Sequence, residues 1–228
     1  MIAPIRDPEL PRELESAHPR EILMWAWETF SPGIVLTSSF QTQSVPLLHL
    51  VSQHTPEMPV VFLDTGYHFP ETIQFCDTLT AEFNLNLIVA KSDLTEEDPT
   101  GESGPNPIND PHACCMANKV DPIKKVLAET TAWVSGVRKD QSELRGLSST
   151  ISYNDFYSVY KICPMTNWTS REVHDYIEKH DLPRHPLWEQ GYHSIGCYPC
   201  TRPVLNGGKE RSGRWSWIEK TECGLHEF

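Results

Sequence analysis

Seven cysteines are distributed along the 228-residue chain, and four of them fall into two tight groups. Cys114 and Cys115 are adjacent, while Cys197 and Cys200 follow about eighty residues later. Cysteine groups that are distant in sequence are typical of a metal site that closes when the chain folds. We therefore take these four thiols as candidate ligands of one metal centre.

The adjacency of Cys114 and Cys115 bears on which metal they bind. Neighbouring side chains on a helix diverge by about 100°, and a single zinc ion normally uses cysteines that are separated by two to four residues. A cubane cluster offers a separate iron to each thiolate, and four thiolates complete a [4Fe–4S] cluster. The pattern favours one such cluster per chain, bound by Cys114, Cys115, Cys197 and Cys200. A zinc ion, free thiols and disulfides are the alternatives.

Cys223 lies apart from both groups, close to the C-terminus. Lys220, His226 and several nearby arginines favour its thiolate, which is the nucleophilic form of cysteine. An incidental thiol in the tail is the plainer interpretation. Cys76 and Cys163 fall on apolar segments, so we expect both to be core thiols.

Composition limits the class of protein. The formal net charge of −12 argues against general binding to nucleic acid or to an anionic membrane. No segment has the 18 consecutive apolar residues of a membrane span, and the N-terminus lacks the pattern of a signal peptide. An odd number of cysteines fits a reducing compartment. We expect a cytoplasmic protein whose partners are neither nucleic acid nor membrane, and a homo-oligomer is compatible with the sequence.

Apolar, β-branched segments alternate with amphipathic ones along the chain. The former predict strands at 33–37, 59–63, 86–90, 132–135 and 159–162. The latter predict helices at 19–30, 44–53, from 70 onwards, 119–129 and 169–180. This alternation indicates an α/β fold with a mostly parallel, twisted sheet and helices on both faces. We divide the chain into a loose leader (1–18), a nucleotide-binding domain (19–205) and a tail with Cys223 (206–228).

Polar turns follow three of the predicted strands, at 38–44, 64–66 and 136–142. Ligands of such sheets bind at the carboxyl ends of the strands, so these turns should border one pocket. The first turn offers hydroxyls and N–H groups at a helix N-terminus, which suits an anion, although it is not a Walker A loop. The carboxylate of Asp64 would suit ribose hydroxyls. Each turn is equally compatible with a purely structural role.

Taken together, these motifs resemble the iron–sulfur type of assimilatory adenylylsulfate (APS) reductase. The resemblance extends from about residue 20 to the C-terminus. The segments that carry it are the four grouped cysteines, Ser38-Ser39-Phe40-Gln41, Leu63-Asp64-Thr65-Gly66, Gly136–Ser142, Arg211-Ser-Gly-Arg214-Trp215 and Glu222-Cys223-Gly224-Leu225-His226.

The resemblance implies a nucleotide-binding fold of the adenine-nucleotide alpha-hydrolase type, related to the ATP-pyrophosphatases. It also implies reduction of APS to sulfite and AMP in sulfate assimilation, through an S-sulfonate on Cys223 that thioredoxin resolves. By the same resemblance, the substrate-binding residues are Ser38, Ser39, Phe40, Gln41, Asp64, Thr65, Gly66, Lys119, Arg138, Arg211, Arg214 and His226.

A single thiol cannot complete a two-electron reduction, so an external dithiol is required. Only five residues follow Cys223, so we expect a separate thioredoxin rather than a fused one. Cys223 must meet two partners in turn, and Gly207 and Gly208 are expected to let the tail move.

Three features depart from the APS-reductase pattern or resemble other members of the family. Gln43 stands where relatives carry an acidic residue. Tyr67 and the run 185–188 also resemble the cluster-free relatives that use 3′-phosphoadenylylsulfate (PAPS). A PAPS reductase or a dual reductase therefore stays open, as does a non-enzymatic iron–sulfur sensor. A tRNA-thiolating enzyme is disfavoured because residues 38–44 lack a glycine-rich loop.

Overall fold

The computed structural model describes residues 11–92, 104–204 and 208–226. At its centre is a six-stranded sheet with the strand order β3-β2-β1-β4-β6-β5. The strands are β1 Ile34–Ser38, β2 Pro59–Asp64, β3 Asn86–Lys91, β4 Ala132–Ser135, β5 Ile151–Asn154 and β6 Val159–Ile162. Neighbouring strands are parallel, except that β5 runs antiparallel to β6. The predicted α/β fold with a mostly parallel sheet is confirmed.

In the described part of the chain, six helices are placed around this sheet. They are α1 Pro19–Phe30, α2 Val45–His54, α3 Pro70–Phe83, α4 Pro111–Cys115, α5 Asp121–Leu127 and α6 Ser170–Lys179. Within the described ranges, none of them is long and apolar enough to cross a bilayer.

The sheet separates two apolar cores. Ile34 and Leu36 of β1 pack into the larger core, with residues of α1, α2, α3 and α6. Val35, between them in sequence, packs into the smaller core with residues of α5. Successive side chains of a strand point to opposite faces, which is how one strand serves both cores. Helices on both faces are therefore confirmed.

Local sequence explains where several helices begin. Pro19 occupies the first turn of α1, where a missing N–H is tolerated, and helix 19–30 has the predicted bounds. In α6 the Thr169 hydroxyl accepts the Glu172 N–H at 3.2 Å, and the Glu172 carboxylate accepts the Thr169 N–H at 2.7 Å. This reciprocal capping box is the one that the sequence predicted.

Three sequence expectations need correction. Strand β5 was not predicted; it is a four-residue edge strand in which Ser152 and Tyr153 are exposed, so its apolar pattern is weak. The helix predicted at 119–129 begins earlier, at Pro111, and continues through a π-helical turn, Met116–Val120, into α5. Residues 11–18 of the expected loose leader are instead ordered around a 3-10 helix, Arg12–Ser16. Leu14 and Ala17 bury apolar surface against the larger core, which accounts for that order. Residues 1–10 lie outside the described part.

Candidate active site

A cavity opens where β1, β2 and β4 end, at the edge of the sheet that the polar turns indicated. The strand ends contribute Ser38, Leu63 and Ser135 to its wall. The C-terminal segment, residues 208–226, forms another part of the wall and contributes Arg211, Arg214 and Cys223. One part of the wall is therefore the fixed edge of the sheet, and another is the end of the chain.

Eight of the residues proposed from the sequence line this cavity. They are Ser38, Ser39, Gln41, Lys119, Arg211, Arg214, Cys223 and His226. Topology brings them together, because the turn after β1, the π-helical turn and the C-terminal segment are far apart in sequence and meet only at this edge.

Phe40 and residues 64–66 do not line the cavity. Phe40 is fully buried, has a φ of 49° and packs edge-on against Phe62 with ring centroids 5.5 Å apart. The Asp64 carboxylate accepts the Gly66 N–H at 3.0 Å and pairs with Lys91 at 3.2 Å. In this structure these residues shape the strand ends rather than the cavity wall.

Arg138 is also absent from the cavity wall, because its guanidinium is fully buried among polar partners. It contacts Asp140 at 3.1 Å and Glu210 at 3.3 Å, and donates to Oε1 of Gln43 at 2.7 Å. The two carboxylates compensate its charge. Arg138 thus ties the turn after β4 to the C-terminal segment.

Arg145 is the main cavity residue that sequence reasoning missed. It follows the turn after β4, lines the cavity and donates to both carboxylate oxygens of Glu222. The sequence signal for such a residue was Glu222, directly before the candidate nucleophile Cys223. A buried carboxylate requires a basic partner, so an arginine was to be expected near it. Thr37, His68 and Ser135 are further lining residues that were missed, whereas Gln43, Ser44 and Gln141 belong to the polar turns predicted to border the pocket.

Cys223 is half-buried in this basic environment. Burial opposes ionisation of its thiol, but the positive charges of Lys119, Arg145 and Arg214 outweigh that effect and lower its pKa below the ordinary value of 9.0. These charges therefore favour the thiolate, which is the nucleophilic form of Cys223. By contrast, burial raises the pKa of Cys76 to about 12 and also raises that of Cys163, and both are core thiols as predicted.

His226 presents an uncharged imidazole to the cavity. Burial, reinforced by the charges of Lys161 and Arg145, lowers its pKa well below 6.5. Its ring stacks on Trp133 with centroids 5.7 Å apart and planes 6° apart. Among the described residues, Nδ1 of His226 has no hydrogen-bond partner. A neutral ring that is fixed by stacking has a nitrogen available for a bound molecule.

A second, smaller cavity adjoins the first and is lined by all four grouped cysteines. Cys114 and Cys115 end helix α4, and Cys197 and Cys200 flank a 3-10 turn. All four side chains are buried. Lys119, Arg214 and Trp215 line both cavities, so the cysteine cavity and the cavity at the strand ends share a wall.

The cysteine cavity carries positive and hydrogen-bonding groups that suit thiolates. The amide of Asn118 donates to Sγ of Cys114 at 3.6 Å, and the Thr65 hydroxyl lies 3.2 Å from Sγ of Cys197. The positive charge of Lys119 also reaches Cys115 and Cys200. Within residues 11–92, 104–204 and 208–226, no group of three or more His, Cys, Asp or Glu side chains is arranged to hold a metal ion. All four cysteines nonetheless line one cavity, so they are the residues that could hold a multi-iron cluster.

Comparison with known proteins identifies relatives over most of the chain. A family model described as the phosphoadenosine phosphosulfate reductase domain matches residues 33–203. Adenosine 5'-phosphosulfate reductase of Staphylococcus haemolyticus is 44% identical over 208 residues, which are 90% of this chain and 86% of that protein. The protein of the same name from Streptomyces coelicolor is 43% identical over 216 residues, covering 94% and 91% of the two chains.

Solved structures show the same architecture. The phosphoadenylyl-sulfate (PAPS) reductase of Candida auris, in a phosphate complex, superposes with a TM-score of 0.70 at 26% identity, over 81% of this chain and 90% of that one. FMN adenylyltransferase of Candida glabrata superposes with a TM-score of 0.62 at 18% identity, over 81% and 63% of the two chains. The second likeness concerns the fold alone.

Proposed function

Because the chain belongs to the phosphoadenosine phosphosulfate reductase family of oxidoreductases, we propose that it reduces APS to sulfite and AMP with a thioredoxin-type dithiol as electron donor. One observation carries the proposal: the thiol of Cys223 faces a cavity at the carboxyl edge of the sheet together with Lys119, Arg211 and Arg214. A nucleophilic thiol among cations is the arrangement that attack on a phosphosulfate requires.

In the first step the Cys223 thiolate attacks the sulfur of the sulfate group. An S–S bond forms, the bond between that sulfur and the phosphate oxygen breaks, and AMP leaves with the electron pair. The product is an S-sulfonate on Cys223. Negative charge grows on the departing phosphate oxygen, and the cations of the cavity stabilise it. The neutral ring of His226 can donate a hydrogen bond to an oxygen of the same group.

In the second step a thiolate of the donor attacks Sγ of Cys223, and sulfite leaves with the electron pair. The second donor thiol then attacks the mixed disulfide, which returns Cys223 as a thiol and leaves the donor oxidised. One dithiol therefore supplies both electrons that the reduction requires and returns Cys223 to its starting state. All seven cysteines of the chain are unpaired, which suits the reducing cytoplasm that we assign to the enzyme.

We also propose that Cys114, Cys115, Cys197 and Cys200 bind one [4Fe–4S] cluster. The all-sulfur donor set, its enclosed cavity and the adjoining cations support this assignment. With four thiolate ligands such a cluster would have no open iron, so it would supply negative charge and cross-link two distant segments. Lys119 and Arg214, which line both cavities, compensate that charge on the side where substrate binds.

We propose APS as the preferred substrate, since relatives that are 38–44% identical are named APS reductases. The test is sulfite release by anaerobically purified protein with thioredoxin, measured separately with APS and with PAPS. Sulfite from APS alone supports the proposal. Comparable rates with both nucleotides identify a dual enzyme, and sulfite from PAPS alone overturns the substrate assignment.

The Cys223→Ser variant separates a reductase from an iron–sulfur sensor. We expect it to keep the colour of the cluster and to form no sulfite. Cys76→Ala, which removes a buried thiol of α3, is the matched control and should still form sulfite. In a single turnover without donor, intact mass should show one added sulfo group on the wild type and none on Cys223→Ser. Turnover by Cys223→Ser would exclude the mechanism.

A further inference from the structure

Glu222, the residue before Cys223, has its carboxylate almost completely buried, with 1% of the residue exposed. Oε1 accepts from Nε of Arg145 and from the Ser142 hydroxyl, both at 2.9 Å. Oε2 accepts from Nη2 of Arg145 at 2.7 Å and from Nη2 of Arg211 at 3.2 Å. Both oxygens are therefore occupied, and the pair with Arg145 is bidentate.

The carboxylate is charged in this environment. Burial alone would raise the pKa of Glu222, but hydrogen bonds and charge from Arg145, together with Arg211 and Ser142, lower it below the ordinary value. Bidentate pairs between arginine and carboxylate combine charge with a fixed geometry, which a lysine or a single hydrogen bond does not provide. The contact therefore determines the orientation of the tail as well as its position.

Arg145 is held by the body of the domain independently of the tail. Its Nη1 donates to the side chain of Gln141, and its backbone N–H donates to the Ser142 hydroxyl at 3.3 Å. Gln141 and Ser142 belong to the turn after β4. The domain thus holds Arg145 in place to bind the carboxylate of Glu222, which is the residue directly before Cys223.

We propose that Glu222 is a positioning residue whose carboxylate latches onto Arg145 and holds Cys223 in the cavity. Its consequence for catalysis rests on the proposed function, whereas the latch itself does not. Cys223 must reach both the substrate and the donor, so its segment needs a contact that is firm when closed and that can be broken. A contact between charged groups that water can solvate after opening meets both needs.

Limited trypsin digestion tests the latch without any turnover. Lys220 is 7% exposed, and its Nζ lies 3.1 Å from Nδ1 of His112, so the bond after Lys220 should be protected while the tail is docked. We expect Glu222→Gln to release the peptide 221–228 at least about tenfold faster than the wild type. Glu219→Gln removes the same charge from an exposed side chain of the same segment and should match the wild type.

Single-turnover S-sulfonation tests the positioning role. Misplacement of a nucleophile lowers the rate of the chemical step far more than substrate affinity. At saturating APS, Glu222→Gln should form the Cys223 S-sulfonate at least about tenfold more slowly, with a concentration for half-maximal rate within about threefold of the wild type. Arg145→Lys keeps the positive charge but cannot form the bidentate pair with Glu222. It should therefore also release the peptide 221–228 faster than the wild type.

Each outcome is decisive. Wild-type rates of both cleavage and S-sulfonation in Glu222→Gln would overturn the latch. Faster cleavage with unchanged S-sulfonation would restrict Glu222 to docking and overturn its positioning role. If wild-type protein forms no S-sulfonate, the proposed function fails, while the cleavage comparison still decides the latch. If Glu222→Gln does not fold, Glu222→Asp, which keeps the charge and shortens the reach, should show the same direction of change in both measurements.

Discussion

The guanidinium of Arg214 lies so close to the backbone of Gly196 that a Cβ atom at residue 196 would be 2.2 Å from its Nη2 atom and 2.6 Å from its Cζ atom. Arg214 also packs over the ring of Trp215, with Cζ 4.4 Å from the ring centroid. Gly196 directly precedes Cys197. Because Gly196 has no side chain, the guanidinium of Arg214 can lie next to its backbone. Arg214 there lines both the cysteine cavity and the cavity at the strand ends.

Replacing this glycine should displace the cation. In Gly196→Ala the new methyl group and the guanidinium cannot both keep their places, because real Cβ atoms do not approach heavy atoms this closely. We expect S-sulfonation at saturating APS to fall about tenfold or more, since one cation is lost from the site of developing charge. Gly104→Ala is the control, because a Cβ atom there meets nothing within 4 Å. Equal rates for the two variants would show that Arg214 has no part in the reaction.

The sequence predicted the parts of the fold that depend on local periodicity. Runs such as 59–63 have the apolar character that a strand buried on both faces requires, and Thr169 with Glu172 defines the start of α6. Parallel topology then placed the turns after β1 and β4 at one edge. These steps use only short-range patterns and the rule that ligands bind at carboxyl ends of strands.

The remaining features depend on tertiary contacts that no local pattern encodes. Arg138 and Arg145 are both arginines near the turn after β4, yet the first is neutralised inside the domain and the second faces the cavity. Their roles are decided by Glu210 and Glu222, which lie about seventy to eighty residues later. The π-helical turn at Met116–Val120 likewise has no local sequence pattern that predicts it.

Removing any one of the four proposed cluster ligands should abolish bound iron. We expect Cys114→Ser, Cys115→Ser, Cys197→Ser and Cys200→Ser to lose iron, acid-labile sulfide and visible absorbance when purified anaerobically, because all four thiolates line one cavity. Cys163→Ser changes a buried thiol outside that cavity and should keep the iron content of the wild type. Iron analysis per chain is the measurement. A tightly bound zinc ion and no iron in the wild type would contradict the cluster.

Lys119 should contribute to the chemical step through its charge. Burial opposes that charge, but electrostatic interaction with Cys197, Cys223 and Cys115 outweighs it and raises the pKa of Lys119 above the ordinary value. Lys119→Met keeps most of the length of the side chain and removes the charge, so S-sulfonation should slow by about 10²-fold. Lys124→Met changes an exposed lysine outside both cavities. Comparable slowing in both variants would assign the effect to net charge and not to position.

His185 should make the stability of the protein depend on pH. Burial lowers its pKa to about 4, and the nearby Glu71 carboxylate only partly opposes this. Nδ1 accepts the Leu187 N–H at 3.2 Å, and Nε2 lies 3.0 Å from the Thr72 hydroxyl. The folded state therefore holds the neutral ring, whereas the unfolded chain takes up a proton below about pH 6.5.

The sign of the effect follows from these two values. Below pH 6.5 the unfolded state binds more protons than the folded state, so the free energy of unfolding falls as pH is lowered towards about 4. Between pH 7 and pH 5 the loss from this one group is about 2 kcal/mol, or roughly 4–8 °C in Tm for a chain of this size. His185→Asn keeps an acceptor for the Leu187 N–H but cannot titrate. Between pH 7 and pH 5 its Tm should therefore fall roughly 4–8 °C less than the Tm of the wild type. His54→Asn, at an exposed position, should lose as much as the wild type. Equal losses in all three proteins, measured anaerobically by scanning calorimetry, would show that His185 is not the group that couples protonation to unfolding.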